Sequence, residues 1–261
     1  MNRLRPIAVI AWSVLLEAVR RKDVYLLIAL CFGLIGLTLT IDFFGMGHLA
    51  KFYRETALYL MGTFTALAVI LLAVRQLPRE FEHRTIYPLL ARPVSRATFI
   101  LGKALGVGLA AVFCYLLFML VFIPGLYSIG GDLAWGLFGQ HVYLQLLQMV
   151  VLTAACFLLS LSFTPDAALT LALLLYFAAG LISHISVTLY ELSDAVGRLL
   201  LQVLNYALPQ LALFDLSGKV LHSELWPPLG FQTMAELTGY ALVYALVFGA
   251  GSYWLFRRRP L

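Results

Sequence analysis

Residues 104–123 form a run of 20 amino acids, mostly Leu, Val, Ala and Phe, that contains neither a charge nor a proline. A helix rises 1.5 Å per residue, so such a run crosses roughly 30 Å of hydrocarbon. Runs of similar character lie at 24–41, 56–74, 142–163, 167–187 and 237–256. They are too long and too continuous for barrel strands, which alternate every second residue over about 10 positions. The expectation is an all-α polytopic membrane protein: one transmembrane domain over 1–261, with six transmembrane helices. Composition agrees, because 62% of the chain is hydrophobic and only 12% charged. A soluble domain is about 45–50% apolar and about 25% charged, and 31 charged side chains do not cover a core of this size with water-facing surface.

Between the runs, Thr164, Pro165 and Asp166 read as the start of the fifth helix: a cap, a proline at the first position and an acid in the first turn. Pro124-Gly125 reads as the end of the third. Over 6–22 the polar residues Ser13, Glu17, Arg20 and Arg21 make one stripe on an otherwise apolar helix, as in an amphipathic elbow helix lying in the membrane interface. The other reading is a cytosolic start to the first span. Residues 192–208, closed by Pro209, are a further helical candidate within a long segment, 188–236, which could rest on the far surface or re-enter.

Charge placement orients the chain. With a cytoplasmic N-terminus, the inside segments hold 14 of the 18 basic residues: Arg3, Arg5, Arg20, Arg21 and Lys22 first, then Arg75, Arg79, Arg84, Arg92, Arg96 and Lys103, and last Arg257 to Arg259. Lys51, Arg54, Arg198 and Lys219 fall outside, with eight of the 13 acids. By the positive-inside rule both termini are expected in the cytoplasm and 188–236 outside. The net charge of +5 is then a topology signal facing anionic lipid, and nucleic acid is not an expected partner. Cys31, Cys114 and Cys156 all sit in apolar runs and suggest neither a disulfide framework nor a metal site. No cleavage site follows Met1, so the N-terminus is expected to be retained.

The segment 75–103 carries six basic residues and two acids among Phe81, Ile86, Tyr87, Leu89 and Leu90, and Ser95 is placed to cap the helix that follows. From the residues alone, its apolar side chains could equally meet lipid headgroups or a protein partner. The run from Arg79 to Lys103 includes Thr85-Ile-Tyr-Pro-Leu-Leu-Ala-Arg-Pro-Val-Ser-Arg96 and then Leu101-Gly-Lys103. It resembles the signature of the ABC-2 type permeases, the membrane subunits of ATP-binding-cassette transporters. Leu204-Asn-Tyr-Ala-Leu-Pro-Gln-Leu-Ala-Leu-Phe-Asp215 is similar to a pattern such permeases carry before the last span. Many members place a glycine before the Thr-Ile pair, where this chain has His83 and Arg84. The nearest subgroups by resemblance are permeases of copper-enzyme maturation or multidrug export.

The resemblance implies six spans, cytoplasmic termini, an elbow helix and a bacterial inner (cytoplasmic) membrane. It implies that 75–103 is a coupling segment, with Glu80, Phe81, Glu82, Arg84, Ile86, Tyr87 and Leu90 docking on a separate ATP-binding subunit. The implied function is a permease subunit moving an unidentified substrate by alternating access, in a homodimer with two such subunits. ATP and Mg would be bound by the partner, for the chain has no G-x-x-x-x-G-K-[ST] loop, no H-E-x-x-H and no serine elbow. No cofactor, metal or catalytic residue is therefore expected in this chain. Candidate pathway residues are Thr63, Thr65, Ser160, Thr170, Ser183 and His184. For His184, a hydrogen-bonded structural role competes with a functional one. Small residues at helical spacing, Gly102, Gly106 and Ala110, then Gly239, Ala245 and Gly249, favour close helix approach within one subunit or across a dimer. The rival from another class is a membrane scaffold or assembly protein using 188–236 to hold an extracytoplasmic partner. A membrane-embedded enzyme is the weakest reading, since ionisable residues do not cluster in the spans.

Overall fold

The computed structural model describes residues 4–40, 46–82, 95–192, 194–222 and 224–258. Those residues form α1 (Leu4–Arg20), α2 (Lys22–Thr40), α3 (Met46–Glu82), α4 (Arg96–Ser128), α5 (Trp135–Ser162), α6 (Pro165–Leu192), α7 (Ala195–Ala207), a 3-10 turn (Leu211–Phe214), α8 (Ser217–Leu221) and α9 (Phe231–Arg258). The protein is an all-α polytopic membrane protein. Five of these helices, α2, α3, α4, α5 and α9, are long and apolar enough to cross a bilayer. In α6 a shorter apolar portion runs over Pro165–Gly180.

Two helices are centre pieces. α3 and α5 are buried over most of their apolar length, whereas α2 and α9 show most of theirs to the surroundings. α3 has 37 residues, about 55 Å at 1.5 Å per residue, far more than the hydrocarbon thickness. The 56–74 run is thus the middle of a longer rod that continues through Pro78 to Glu82.

α4 also outruns its apolar stretch. Rather than stopping at Pro124-Gly125, it continues to Ser128. Proline removes one N–H and crowds the carbonyl four residues back, but a neighbouring side chain can re-satisfy the freed groups. Here Tyr53 of α3 braces the turn just before Pro124: its hydroxyl donates to Phe122 O at 3.2 Å and approaches Val121 O at 3.4 Å. Its ring stacks on Phe122 at 5.9 Å, and Phe122 in turn stacks on Phe138 of α5 at 5.8 Å. At the other end, Ser95 caps α4 by accepting Thr98 N–H at 3.1 Å.

α1 is separated from α2 by a single residue, Arg21, whose guanidinium pairs with Asp23 at 2.8 Å. Its buried face is Ile10, Ala11, Val14 and Ala18. That face lies on α4 where glycine makes room: a Cβ on Gly102 would stand 2.8 Å from Ile10 Cβ, and one on Gly106 2.5 Å from Val14 Cβ. The first small-residue stripe therefore serves packing within the subunit. Gly239 and Gly249 of α9 meet nothing within 4 Å.

Candidate functional site

One end of the bundle gathers the finish of α1, the finish of α3, the start of α4 and the finish of α9. Its centre is Lys103, only 5% exposed. A buried ammonium is costly unless its donors are used. Lys103 Nζ donates to Glu80 Oε1 at 2.7 Å and to Gln76 Oε1 at 2.9 Å. The Gln76 amide passes the chain onward, its Nε2 donating to Glu17 Oε2 of α1 at 2.9 Å. Glu17 also takes Arg79 Nη1 at 3.4 Å. Five side chains thereby tie α1, α3 and α4 in one connected network. α9 joins separately: Arg96 Nη1 donates to Arg257 O at 2.7 Å, placing a cation on the carbonyls left unsatisfied at a helix end.

The opposite end is closed by the chain between α7 and α9. Arg54 of α3 donates to Val220 O at 3.4 Å and also to Asp132 O, holding α8 and the α4–α5 turn together. The Leu216 N–H donates to His141 Nδ1 at 3.3 Å, so that nitrogen is an acceptor. Asp215 stands 3.8 Å from it, and its Oδ1 accepts the Ser217 N–H at 2.8 Å.

Between the two ends is a cavity of about 380 Å³, open on one side. α3 supplies Tyr59, Gly62 and Thr63 to its wall, and α5 supplies Gln145 and Gln148. α6 adds Tyr176, Phe177 and Gly180, and the 3-10 turn region closes it with Leu211, Ala212 and Asp215. Gln145 and Gln148 are 4% and 6% exposed, and both amide oxygens lack a hydrogen-bond partner among the described residues. Gly62 lets α3 approach this pair: a Cβ there would be 3.2 Å from Gln145 Oε1. The wall offers hydrogen-bonding groups, aromatic faces and one carboxylate, the means to hold a molecule.

The residues singled out from sequence distribute unevenly over these places. Glu80 belongs to the Lys103 network, with its carboxylate turned to a buried partner inside the subunit. Phe81 and Glu82 continue α3, but their side chains, and all of Arg84, Ile86, Tyr87 and Leu90, lie outside the described residues. Of the pathway candidates, Thr63 lines the cavity. Thr65, Ser160 and Thr170 give their hydroxyls to their own helices, at Met61 O, Phe157 O and Asp166 O. Ser183 and His184 are within α6, their side chains outside the described set.

Sequence reasoning passed over Gln145, Gln148, Tyr59 and Tyr176 in the cavity, and Gln76 and Glu17 in the network. One signal was available: two glutamines three residues apart inside the 142–163 run share a helix face, and polar side chains in a span seldom face lipid.

The model of the ABC-2 family transporter proteins matches residues 10–261. No curated protein matches the chain. A match over nearly the whole length shows the family: the chain belongs to the ABC-2 family, and it is a permease subunit of that type.

Proposed function

We propose, with ABC-2 family membership as the premise, that a separate ATP-binding subunit drives this permease through alternating access. In this reading the chain crosses the bacterial inner membrane six times, α6 being the fifth span. Both termini are cytoplasmic, and α1 is the elbow helix in the interface. Two copies of the permease stand with two ATPase subunits, α9 facing lipid or the second copy. Residues 188–236 are extracytoplasmic, and 75–103 is the coupling segment.

The observation that carries the reading is the Lys103 network. The segment that would meet the ATPase begins at the end of α3, where Gln76 and Glu80 are joined through Lys103 to α4 and through Glu17 to α1. A push delivered there reaches three helices at once, because a buried hydrogen-bonded charge resists separation. Glu80 then transmits the push, while Phe81, Glu82, Arg84, Ile86, Tyr87 and Leu90 provide apolar anchors and orienting charge for docking.

The test is co-expression with a candidate ABC ATP-binding subunit, affinity purification in mild detergent, and ATPase assay in nanodiscs. Lys103→Met is expected to retain the ATPase subunit at wild-type yield but to lose most of the stimulation the permease gives it. Glu82→Lys is expected to reduce the yield itself. Purification of the wild type without any ATPase subunit would sink the reading and return the scaffold alternative. Full stimulation in Lys103→Met would remove the network from the coupling path.

A further inference from the structure

We infer that the cavity between α3, α5, α6 and the 3-10 turn is a binding site for a compact organic cation: a protonated or quaternary nitrogen on an aromatic body that also carries N–H donors. The inference rests on the permease reading and names the chemistry of what the pathway holds.

Charge comes first. Among the described residues of the lining, Asp215 is the only acidic side chain, and neither Lys nor Arg contributes to it. One Asp215 carboxylate oxygen is occupied by the Ser217 N–H, which leaves the other for a ligand. His141 Nδ1, 3.8 Å from Asp215, accepts the Leu216 N–H and so brings no proton to the carboxylate, and Arg54 has its guanidinium directed to the carbonyls of Val220 and Asp132. Asp215 is 40% exposed, so its field is partly screened, but an anionic cargo would still meet a like charge at the wall, whereas a cation meets an opposite one.

The second observation is independent of charge. Gln145 and Gln148 are more than nine-tenths buried, line the cavity, and have amide oxygens without partners among the described residues. Buried amides left unsatisfied are costly, so these oxygens, themselves covered, gain partners when the amides turn toward a donor that enters the cavity. An amine or anilinium N–H is such a donor.

The walls supply the third. Tyr59, Tyr176 and Phe177 present aromatic surface, with the Tyr176 and Phe177 rings edge to face at 5.2 Å. Aromatic faces attract cations through the ring quadrupole and stack on flat bodies. The volume of about 380 Å³ lies within the range of small-molecule sites. Room is kept by Gly180, where an added Cβ would meet nothing within 4 Å.

Ethidium is a suitable probe, since it combines a fixed positive charge, a flat aromatic body and amino donors. The experiment measures its fluorescence on titration with full-length permease in nanodiscs, against empty nanodiscs, with 8-anilinonaphthalene-1-sulfonate as the anionic counterpart. Expected is saturable ethidium binding that weakens at least tenfold in Asp215→Asn and in Gln145→Leu/Gln148→Leu, and none for the sulfonate beyond empty discs. Gly180→Leu fills the space with a good helix former and is expected to abolish binding without disturbing the fold. Co-purification of the ATPase subunit is scored for every variant. Wild type that retains the ATPase subunit yet shows no saturable ethidium binding means the cavity holds only water, and overturns the inference alone. Ethidium affinity within twofold of wild type in both Asp215→Asn and Gly180→Leu also overturns it, as does sulfonate binding that Gly180→Leu abolishes. Wild type that fails to hold any ATPase subunit overturns the permease reading instead.

Discussion

Replacing Gly106 by alanine adds one methyl group at the tightest contact between α1 and α4. Its Cβ would stand 2.5 Å from Val14 Cβ and 2.8 Å from Ala11 O. Carbon atoms rest at about 3.5–4.0 Å, so α1 must withdraw by about 1 Å along its buried face. Overpacking of this kind costs about 1–3 kcal/mol, while alanine in place of glycine inside a helix returns about 1 kcal/mol. Gly108, two residues on in the same helix, meets nothing within 4 Å. Gly108→Ala therefore receives only the helix term, a gain of up to about 1 kcal/mol. The two variants differ by one methyl at neighbouring positions, yet their stabilities are expected to differ by about 1–3 kcal/mol. Withdrawal of α1 also carries Glu17 away from Gln76, now 2.9 Å apart, so Gly106→Ala is expected to lower the ATPase stimulation as well. The assay is unfolding by sodium dodecyl sulfate in mixed micelles, followed by tryptophan fluorescence. Coincident unfolding curves for Gly106→Ala and Gly108→Ala would refute the packing argument.

Tyr53→Phe removes the hydroxyl that serves the carbonyls beside Pro124 and is expected to cost about 1 kcal/mol, measured as a lowered unfolding midpoint in the same micelles. Ser95→Ala removes the cap of α4 and is expected to cost about 1 kcal/mol; faster hydrogen exchange confined to the first turn, around Thr98, is the check.

The long apolar helices were legible because a membrane span advertises itself by length without charge, and Ser95 because a cap is a local device. Pro124 misled for a physical reason: whether proline ends a helix depends on the packing around it, here the brace from Tyr53, 71 residues away in sequence, on the carbonyls of the preceding turn. Glu80 was read as a surface charge for a partner; its attachment to Lys103 depends on how α3 and α4 pack, which no local pattern encodes. The hydroxyls of Thr65, Ser160 and Thr170 show the converse. In a helix such groups turn back to the carbonyl three or four residues earlier, so their presence in a span says little about a pathway. Gln145 and Gln148 have side chains too long for that habit to absorb easily, and their spacing was the better signal. Tyr59 and Tyr176 became wall residues only through the meeting of α3 and α6.

The continuity of α3 has a mechanical meaning. Thr63 touches the cavity, and Glu80 reaches Lys103 some 17 residues later, about 25 Å along an unbroken rod. A tilt of about 5° pivoting at the cavity displaces the far end by about 2 Å, enough to break or remake hydrogen bonds there. Close packing on most sides keeps the rod from bowing, and Pro78 concentrates what compliance it has in the single turn from Val74 to Pro78. Sensing at one end and actuation at the other then need no relay of intervening side chains. On the proposed reading α3 is a lever, and its stiffness sets how faithfully occupancy of the cavity is reported at the basic end.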